Sequence, residues 1–206
     1  LDVTAQGQSA STVTERVTLQ QTICREGTAV LTDRQNLLLQ PGESRTVSFR
    51  YCVDSPALWS PENPNLYTST MQVLEGEEEL DREETRFGIR TLSIDAAHGV
   101  RINGQTVKLR GACIHHDNGI LGAATLPDAE ERRIRQLKEA GFNAIRSSHH
   151  PAGRALLDAC DRYGVLVMDE LSDVWNVRKN PYDYALYFEQ DWKPTIQKMV
   201  AKDYNH

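Results

Sequence analysis

The pattern of the chain changes near residue 93, and this change constrains the fold more than any other feature. Before it, polar and apolar residues alternate in short segments rich in β-branched side chains, for example over 12–24, 45–53 and 66–74. Turn-forming residues such as Pro41-Gly42 separate the segments. Short alternating strands with turns between them are typical of an antiparallel β-sandwich, which we predict for residues 1–92.

After residue 93, strand signals alternate with helix signals. Asn103-Gly104 predicts a hairpin over 101–109, because both residues tolerate the positive φ angles of a tight turn. The pattern then predicts three strands, at 107–114, 143–148 and 165–169, and three helices, at 128–140, 151–163 and 191–203. Pro194 would lie in the first turn of the third helix, where proline is tolerated.

Strands that alternate with helices predict a parallel sheet for residues 93–206. An open doubly wound sheet and a (β/α)8 barrel both fit this order. No Gly-x-Gly-x-x-Gly or Walker-type loop follows any strand, which disfavours nucleotide binding. Three units form only part of a barrel that needs eight.

Composition excludes several classes of protein. The 206 residues carry a net charge of -6, so nothing favours nucleic acid or an anionic membrane as a partner. No apolar run is long enough to span a membrane. The four cysteines form no Cys-x-x-Cys pair and lie in apolar stretches, which predicts buried thiols rather than a zinc site or a disulfide framework. Leu1-Asp2 resembles a cut within a longer protein, so we assign no cellular compartment.

Polar residues follow each of the three predicted parallel strands. They are His115-His116-Asp117-Asn118, Arg146-Ser147-Ser148-His149-His150 and Asp169-Glu170. Because the carboxyl ends of barrel strands share one rim, we expect these groups to form a polar pocket. Trp175, from the aromatic loop after the third strand, is the residue that we expect to stack on a sugar. The alternative is a loop that packs its aromatic rings onto the protein.

Several of these residues also allow simpler interpretations. His149 or His150 could cap the next helix, and Asp169-Glu170 could be a solvated loop pair. Zinc bound by His115, His149 and Glu170 is disfavoured, because no His-Glu-x-x-His spacing is present. Ser147 and Ser148 lack the Gly-x-Ser-x-Gly context of a serine nucleophile.

Several segments resemble glycoside hydrolase family 2, which includes β-galactosidases, β-glucuronidases and β-mannosidases. The segments are Trp59-Ser60-Pro61-Glu62-Asn63-Pro64-Asn65-Leu66-Tyr67, Phe87-Gly88-Ile89-Arg90, Asn103-Gly104 through His115, and Asn143 through Pro151 with Asp161, Gly164 and Val165 to Met168. His150 departs from the family, which usually has tyrosine there. The resemblance implies an immunoglobulin-like β-sandwich followed by an incomplete (β/α)8 TIM barrel.

The resemblance also implies a function. It implies a retaining glycosidase with two catalytic glutamates, both beyond His206, so we name no catalytic residue and expect the 206 residues alone to be inactive. His115 and His149 resemble sugar-contacting residues, Arg146 resembles a residue that orients carboxylates, and Glu170 resembles an acidic residue that organises the pocket. With Asp169 and Trp175 they complete the candidate substrate-binding set.

The remaining expectations concern ligands and specificity. In some β-galactosidases the third-strand Glu binds magnesium with a His two residues on; this chain has Ser172 there, so we expect no cofactor and no metal. The expected partners are a carbohydrate substrate and further copies of the same protein, without nucleic acid or membrane. β-Galactosidase is the leading hypothesis. The competing hypotheses are β-glucuronidase, β-mannosidase and a non-catalytic carbohydrate-binding or structural module.

Overall fold

A computed structural model describes all residues from Leu1 to His206. The chain forms two compact units. The first contains Leu1–Ala57 and Leu66–Phe87, and the second contains Leu58–Asn65 and Gly88–His206. No helix combines the length and the apolar character that a membrane crossing requires.

The first unit consists of six antiparallel strands in two sheets. The strands are β1 (Asp2–Gln8), β2 (Glu15–Arg25), β3 (Thr28–Leu39), β4 (Ser44–Arg50), β5 (Tyr67–Glu75) and β6 (Glu78–Phe87). One sheet has the order β3-β2-β5-β6, and the other pairs β1 with β4. This arrangement confirms the predicted antiparallel sandwich.

Alternation along the strands places apolar side chains between the two sheets. Leu19 from β2 packs with Val47 and Phe49 from β4, and all three are buried. Val3 of β1 and Met71 of β5 pack against them. A cavity of about 550 Å³ lies between the sheets. The period of two therefore produces the core, because alternate side chains leave a strand on opposite faces.

The second unit begins with a small antiparallel sheet and continues with three parallel β/α units. The elements are β7 (Leu92–Asp95), β8 (Gly99–Ile102), β9 (Gln105–Thr106), β10 (Gly111–His115), α1 (Pro127–Glu139), β11 (Ala144–Ser148), α2 (Arg154–Tyr163), β12 (Leu166–Met168) and α3 (Phe188–Asp203). The turn between β8 and β9 is Asn103-Gly104, with φ angles of 52° and 76°. The hairpin prediction is therefore confirmed.

The parallel sheet has the order β10-β11-β12 and packs one face on the helices. The buried cluster contains Ile134 of α1, Ile145 of β11 and Leu157 of α2. Ile114 of β10 and Val167 of β12 pack against it. The order of strands and helices is that of the first three units of a (β/α)8 barrel.

The segment 58–65 lies in the second unit, whereas the sequence places it within the sandwich domain of residues 1–92. Trp59 is 1% exposed, and its indole N–H donates to the Asp161 carbonyl oxygen at 2.8 Å. The Lys138 ammonium donates to the Pro61 carbonyl oxygen at 2.6 Å. The units divide at Phe87 and Gly88, while the domain boundary at residues 92 and 93 stays a prediction.

Two local predictions are wrong. Helix α3 begins at Phe188, so Pro194 lies inside it rather than in its first turn. Of the four cysteines only Cys160 is buried, whereas Cys52 and Cys113 are exposed and Cys24 is intermediate. The apolar neighbours of Cys113 in the sequence led to a wrong prediction of burial. Cys113 is exposed because it lies on the sheet face opposite the helices.

Candidate functional site

The face of the parallel sheet opposite the helices carries the candidate site. Cys113, Arg146 and Met168 are aligned across β10, β11 and β12. Their chain neighbours Ile114 and Ile145 pack toward the helices. Since side chains alternate along a strand, the aligned residues point to the other face, together with residues two positions further along each strand.

Arg146, His149 and Glu170 form a hydrogen-bonded cluster at the carboxyl ends of β11 and β12. Arg146 Nε donates to Glu170 Oε1. His149 Nδ1 lies 2.9 Å from Glu170 Oε2 and 3.1 Å from Arg146 Nη2. The Glu170 side chain is 20% exposed, so the cluster is only partly open to water. We name this cluster, with His115, the strand-end cup.

The two contacts of His149 Nδ1 decide its tautomer. Arginine is always protonated and can only donate, whereas the Glu170 carboxylate can only accept. If Nδ1 carries the proton, it donates to Glu170, and the Arg146 contact is then only a close approach. The charge-assisted bond to the carboxylate is the stronger of the two. Nδ1 is therefore the protonated nitrogen, which leaves the Nε2 lone pair of the neutral ring free for another donor.

The electrostatics of the cup keep Glu170 ionised. Burial by itself raises the pKa of Glu170, but the hydrogen bonds from Arg146 and His149 together bring that pKa below its ordinary value. The pKa of Arg146 is raised by its contacts with Cys113 and Glu170. A carboxylate held in this way is a poor proton donor near neutral pH.

His115 joins the cup through its ring. The His115 and His149 rings meet edge to face, with centroids 5.4 Å apart. The next residue on each strand end repeats this contact, because the His116 and His150 rings are 5.1 Å apart. Neither His149 nor His150 caps α2, which begins after Gly153 without a side-chain cap.

Asp169 lies outside the cup. Its Oδ1 accepts a hydrogen bond from the Ala152 backbone N–H at 2.8 Å. Burial and the neighbouring Asp203 carboxyl raise the pKa of Asp169. Of these two consecutive acidic residues, only Glu170 joins Arg146 and His149.

Trp175 is 67% exposed in the loop after β12. Asp173 in the same loop lies near His149. Its Oδ1 is 2.6 Å from Lys179 Nζ and 3.8 Å from His149 Nε2. The pKa of Asp173 is lowered, first by the hydrogen bond from Lys179. Asp173 is not among the residues predicted from the sequence, although its position three residues after Glu170 was a usable signal.

Cys113 is the second residue of the site that sequence analysis did not select. Its Sγ lies 3.4 Å from Arg146 Nη1. The hydrogen bond from Arg146 is the largest cause that lowers the pKa of the Cys113 thiol. An exposed thiol beside a guanidinium has more thiolate character than a free cysteine.

The side chains present do not fit the magnesium pair implied by the family resemblance. Both carboxylate oxygens of Glu170 already hold Arg146 and His149. Ser172 replaces the histidine ligand, and its hydroxyl donates to the Val174 carbonyl oxygen at 2.9 Å. A cationic guanidinium on the carboxylate also disfavours a second cation there.

An antiparallel sandwich followed by parallel β/α units, with a charged cup at the strand ends, is the class of architecture that the family resemblance implies. Two family models match this chain. The model "Glycosyl hydrolases family 2" matches residues 1–90, and "Glycosyl hydrolases family 2, TIM barrel domain" matches residues 96–206. The chain belongs to glycosyl hydrolase family 2.

Relatives agree with this assignment. "Beta-galactosidase BoGH2A" of Bacteroides ovatus is 41% identical over 88% of this chain and 21% of its own length. The crystal structure of a family 2 member from Bacteroides cellulosilyticus has a TM-score of 0.86 at 43% identity, and covers 100% of this chain and 27% of its own. Bacteroides uniformis β-glucuronidase 2, covalently bound to cyclophellitol-6-carboxylate aziridine, has a TM-score of 0.87 at 29% identity, with 100% and 24% covered. The chain thus spans between about a fifth and just over a quarter of the length of these relatives.

Proposed function

We propose that this chain supplies the first part of the catalytic barrel of a retaining exo-β-glycosidase, with β-galactosides as its leading substrates. The observation that carries the proposal is the strand-end cup. Charged and hydrogen-bonding groups from β11 and β12 meet there, and the His115 ring of β10 packs on them. In a barrel, this rim is where substrates bind.

In this proposal the cup holds the sugar and does not cleave it. Its lowered pKa keeps Glu170 ionised, so it does not protonate a leaving group, and both of its oxygens are engaged by Arg146 and His149 rather than available to attack a sugar carbon. Retaining hydrolysis needs two further carboxyl groups, about 5–5.5 Å apart. We propose that both are glutamates beyond His206, and that the 206 residues alone are inactive.

The free Nε2 of His149 and the His115 ring are the groups proposed to contact sugar hydroxyls. Glu170 sets the orientation of His149, because its carboxylate accepts the Nδ1 proton, and Arg146 in turn holds Glu170. Trp175 is proposed to stack on an apolar sugar face, and Asp169 to hold the loop that supports the cup. We expect correct orientation of these side chains to have a large effect on the rate, since a displacement of about 1 Å can lower the rate about 100-fold.

The leading substrate rests on similarity to the B. ovatus β-galactosidase. Similarity to the B. uniformis β-glucuronidase favours a β-glucuronide as the second candidate, and the covalent ligand of that structure agrees with a retaining mechanism. A β-mannoside is the third candidate substrate. The alternative to an enzyme is a non-catalytic carbohydrate-binding module. We also propose that the longer protein forms a homo-oligomer, which light scattering tests.

The test compares nitrophenyl β-galactoside, β-glucuronide and β-mannoside as substrates for the 206-residue chain and for the longer protein that contains it. We expect turnover by the longer protein alone, fastest with the galactoside. Turnover by the 206 residues would refute the proposal, and an inactive longer protein that still binds sugar would favour the binding module. His149→Ala should reduce kcat/KM, whereas the control His98→Ala, at an exposed turn, should not.

A further inference from the structure

A partly buried polar network connects helix α1 to the loop that follows His115, and Glu130 is its buried member. Arg133 of α1 reaches this loop with both terminal nitrogens of its guanidinium. Nη1 donates to the His115 carbonyl oxygen at 3.0 Å, and Nη2 donates to the Asp117 carbonyl oxygen at 2.6 Å. Nη2 also donates to Asn118 Oδ1 at 2.7 Å.

Asn118 extends the network to a buried carboxylate. Asn118 Nδ2 donates to Glu130 Oε1 at 2.9 Å and lies 3.1 Å from the Ala124 carbonyl oxygen. Glu130 is 1% exposed, and its other oxygen has no hydrogen-bond donor. That oxygen lies 3.7 Å from Arg133 Nη1, which is an ion pair without a hydrogen bond. The charge of Arg133 is thus balanced inside the unit.

Charged side chains are an unusual choice for packing between a helix and a loop. Burial of an ion pair is costly, and apolar residues of similar volume often stabilise a protein at least as well. The network instead fixes the orientation of the groups that it binds, because a planar guanidinium donates its hydrogen bonds in fixed directions. Its acceptors are two backbone carbonyl groups at and just beyond the end of β10, and that of His115 also accepts from the Asp117 N–H at 2.8 Å.

We propose that Arg133, with Asn118 and Glu130, positions His115 for sugar binding, and that Arg133 is a positioning residue of the reaction proposed above. The inference rests on that proposed function. By fixing the carbonyl groups of His115 and Asp117, the fork fixes the backbone direction in which the His115 ring leaves β10. His115 therefore keeps its edge-to-face contact with His149, at 5.4 Å between centroids, when a substrate pulls on it.

The test uses the longer protein and its most rapidly hydrolysed nitrophenyl glycoside. Arg133→Met is compared with Arg132→Met, because Arg132 is the exposed neighbour on the same helix. We expect Arg133→Met to lower kcat/KM about 10- to 100-fold, mostly through kcat. It should also lower the thermal midpoint, because it leaves the buried Glu130 carboxylate without its cation, so kcat is compared at a temperature at which the variant is folded. Arg133→Lys should recover part of the loss, and added methylguanidinium should recover part of the activity of Arg133→Ala.

The outcomes separate the two proposals. If the longer protein hydrolyses no β-glycoside, the proposed function fails and the positioning role fails with it. If the wild type is active and Arg133→Met behaves like Arg132→Met, only the positioning role fails. If Arg133→Met does not fold, Asn118→Ala replaces it, since it removes the side chain that joins Arg133 to Glu130. An active Asn118→Ala with unchanged kcat would then overturn the inference.

Discussion

His149 Nδ1 and Glu170 Oε2 lie 2.9 Å apart at the ends of neighbouring parallel strands. The register of the sheet produces this contact, because Arg146 is aligned with Met168 and Glu170 follows Met168 by two residues. The carboxylate therefore reaches both Arg146 and His149 from one position. Its acceptor character is what places the proton of a neutral His149 on Nδ1.

Glu170→Gln should reverse the tautomer of His149. The amide has one acceptor oxygen, which must serve Arg146, because the guanidinium cannot accept a hydrogen bond. The amide NH2 group then faces Nδ1 and forces the ring proton to Nε2. We expect nitrogen NMR of the His149 ring to show this exchange, and kcat/KM of the longer protein to fall about 10- to 100-fold.

Glu131→Gln is the control for Glu170→Gln. Glu131 also accepts from an arginine, Arg162, and from Tyr163, but it lies on helix α1. Its loss should leave the His149 tautomer and the activity unchanged. Equal effects of the two substitutions would contradict the assignment of Glu170 to the cup.

Replacement of Trp59 and of Trp175 by alanine should change the free energy of unfolding by very different amounts. Trp59 is 1% exposed, donates to the Asp161 carbonyl oxygen and carries the Arg90 guanidinium 4.6 Å from its ring centroid. We expect Trp59→Ala to lower the free energy of unfolding by about 3–5 kcal/mol. Trp175→Ala removes an exposed ring and should change it by less than about 0.5 kcal/mol.

The same pair of variants tests the role of Trp175 in binding. If Trp175 stacks on the sugar, Trp175→Ala should raise KM without lowering the melting temperature. Denaturant titration and initial rates measure the two effects separately. A Trp175→Ala variant that melts early but binds normally would show that the ring packs on the protein.

Sequence patterns predicted the parallel β/α part well, for reasons that are local. Helix α1 and strand β11 are predicted within one residue of their ends, because apolar spacing and Gly141 mark them. Strand β1 was missed, since Asp2–Gln8 has few apolar residues and is held by its pairing with β4, more than 35 residues away, as in Asp2 with Arg50. Pairing over such a distance leaves no local signal.

The candidate site was predicted in part, and its geometry explains the rest. His115, Arg146, His149 and Glu170 come together because successive parallel strands end at one edge. The period of two could have separated Asp169 from Glu170, since neighbours on a strand face opposite sides. Arg133 could not be recognised, because a charged residue on a helix usually faces solvent.

Gly164 and Gly141 should differ in their tolerance of alanine, although both follow a helix with positive φ. Gly164 has a φ of 68°, and an added Cβ would lie 2.3 Å from the Pro61 carbonyl oxygen. Gly141 has a φ of 91°, and its added Cβ would meet nothing within 4 Å. Gly141→Ala should cost about 1–2 kcal/mol from backbone strain alone.

Gly164→Ala should cost at least about 1–3 kcal/mol more than Gly141→Ala, because the overlap with Pro61 adds to the strain. The free energy of unfolding of both variants, measured in denaturant, gives the comparison. Equal losses would mean that the segment around Pro61 moves aside at no cost. That result would contradict the close packing of residues 58–65 against the end of α2.

The Asp169 carboxyl should stabilise the fold more at low pH than at high pH, whereas most carboxylates do the opposite. Burial and Asp203 raise the pKa of Asp169. Oδ2 of Asp169 and Oδ2 of Asp203 are both buried without another donor, which favours one proton shared between them. The folded state therefore binds this proton more tightly than the unfolded state does.

The contribution of Asp169 is complete below the ordinary carboxyl pKa and is lost as the pH rises through the raised pKa. Asp169→Asn keeps an acceptor for the Ala152 N–H and gains a permanent donor toward Asp203. We expect this variant to unfold at a higher temperature than the wild type at pH 7, with the difference shrinking toward pH 4. Thermal melts across that pH range measure the effect.

Asp173→Asn is the matched control, because Lys179 lowers the pKa of Asp173. Its contribution is present above the ordinary carboxyl pKa and is lost as the pH falls through the lowered value, so this variant should be less stable than the wild type at pH 7. Acidification should remove that difference. If Asp169→Asn destabilises the protein at pH 7 as Asp173→Asn does, Asp169 is ionised in the folded state and the shared proton is excluded.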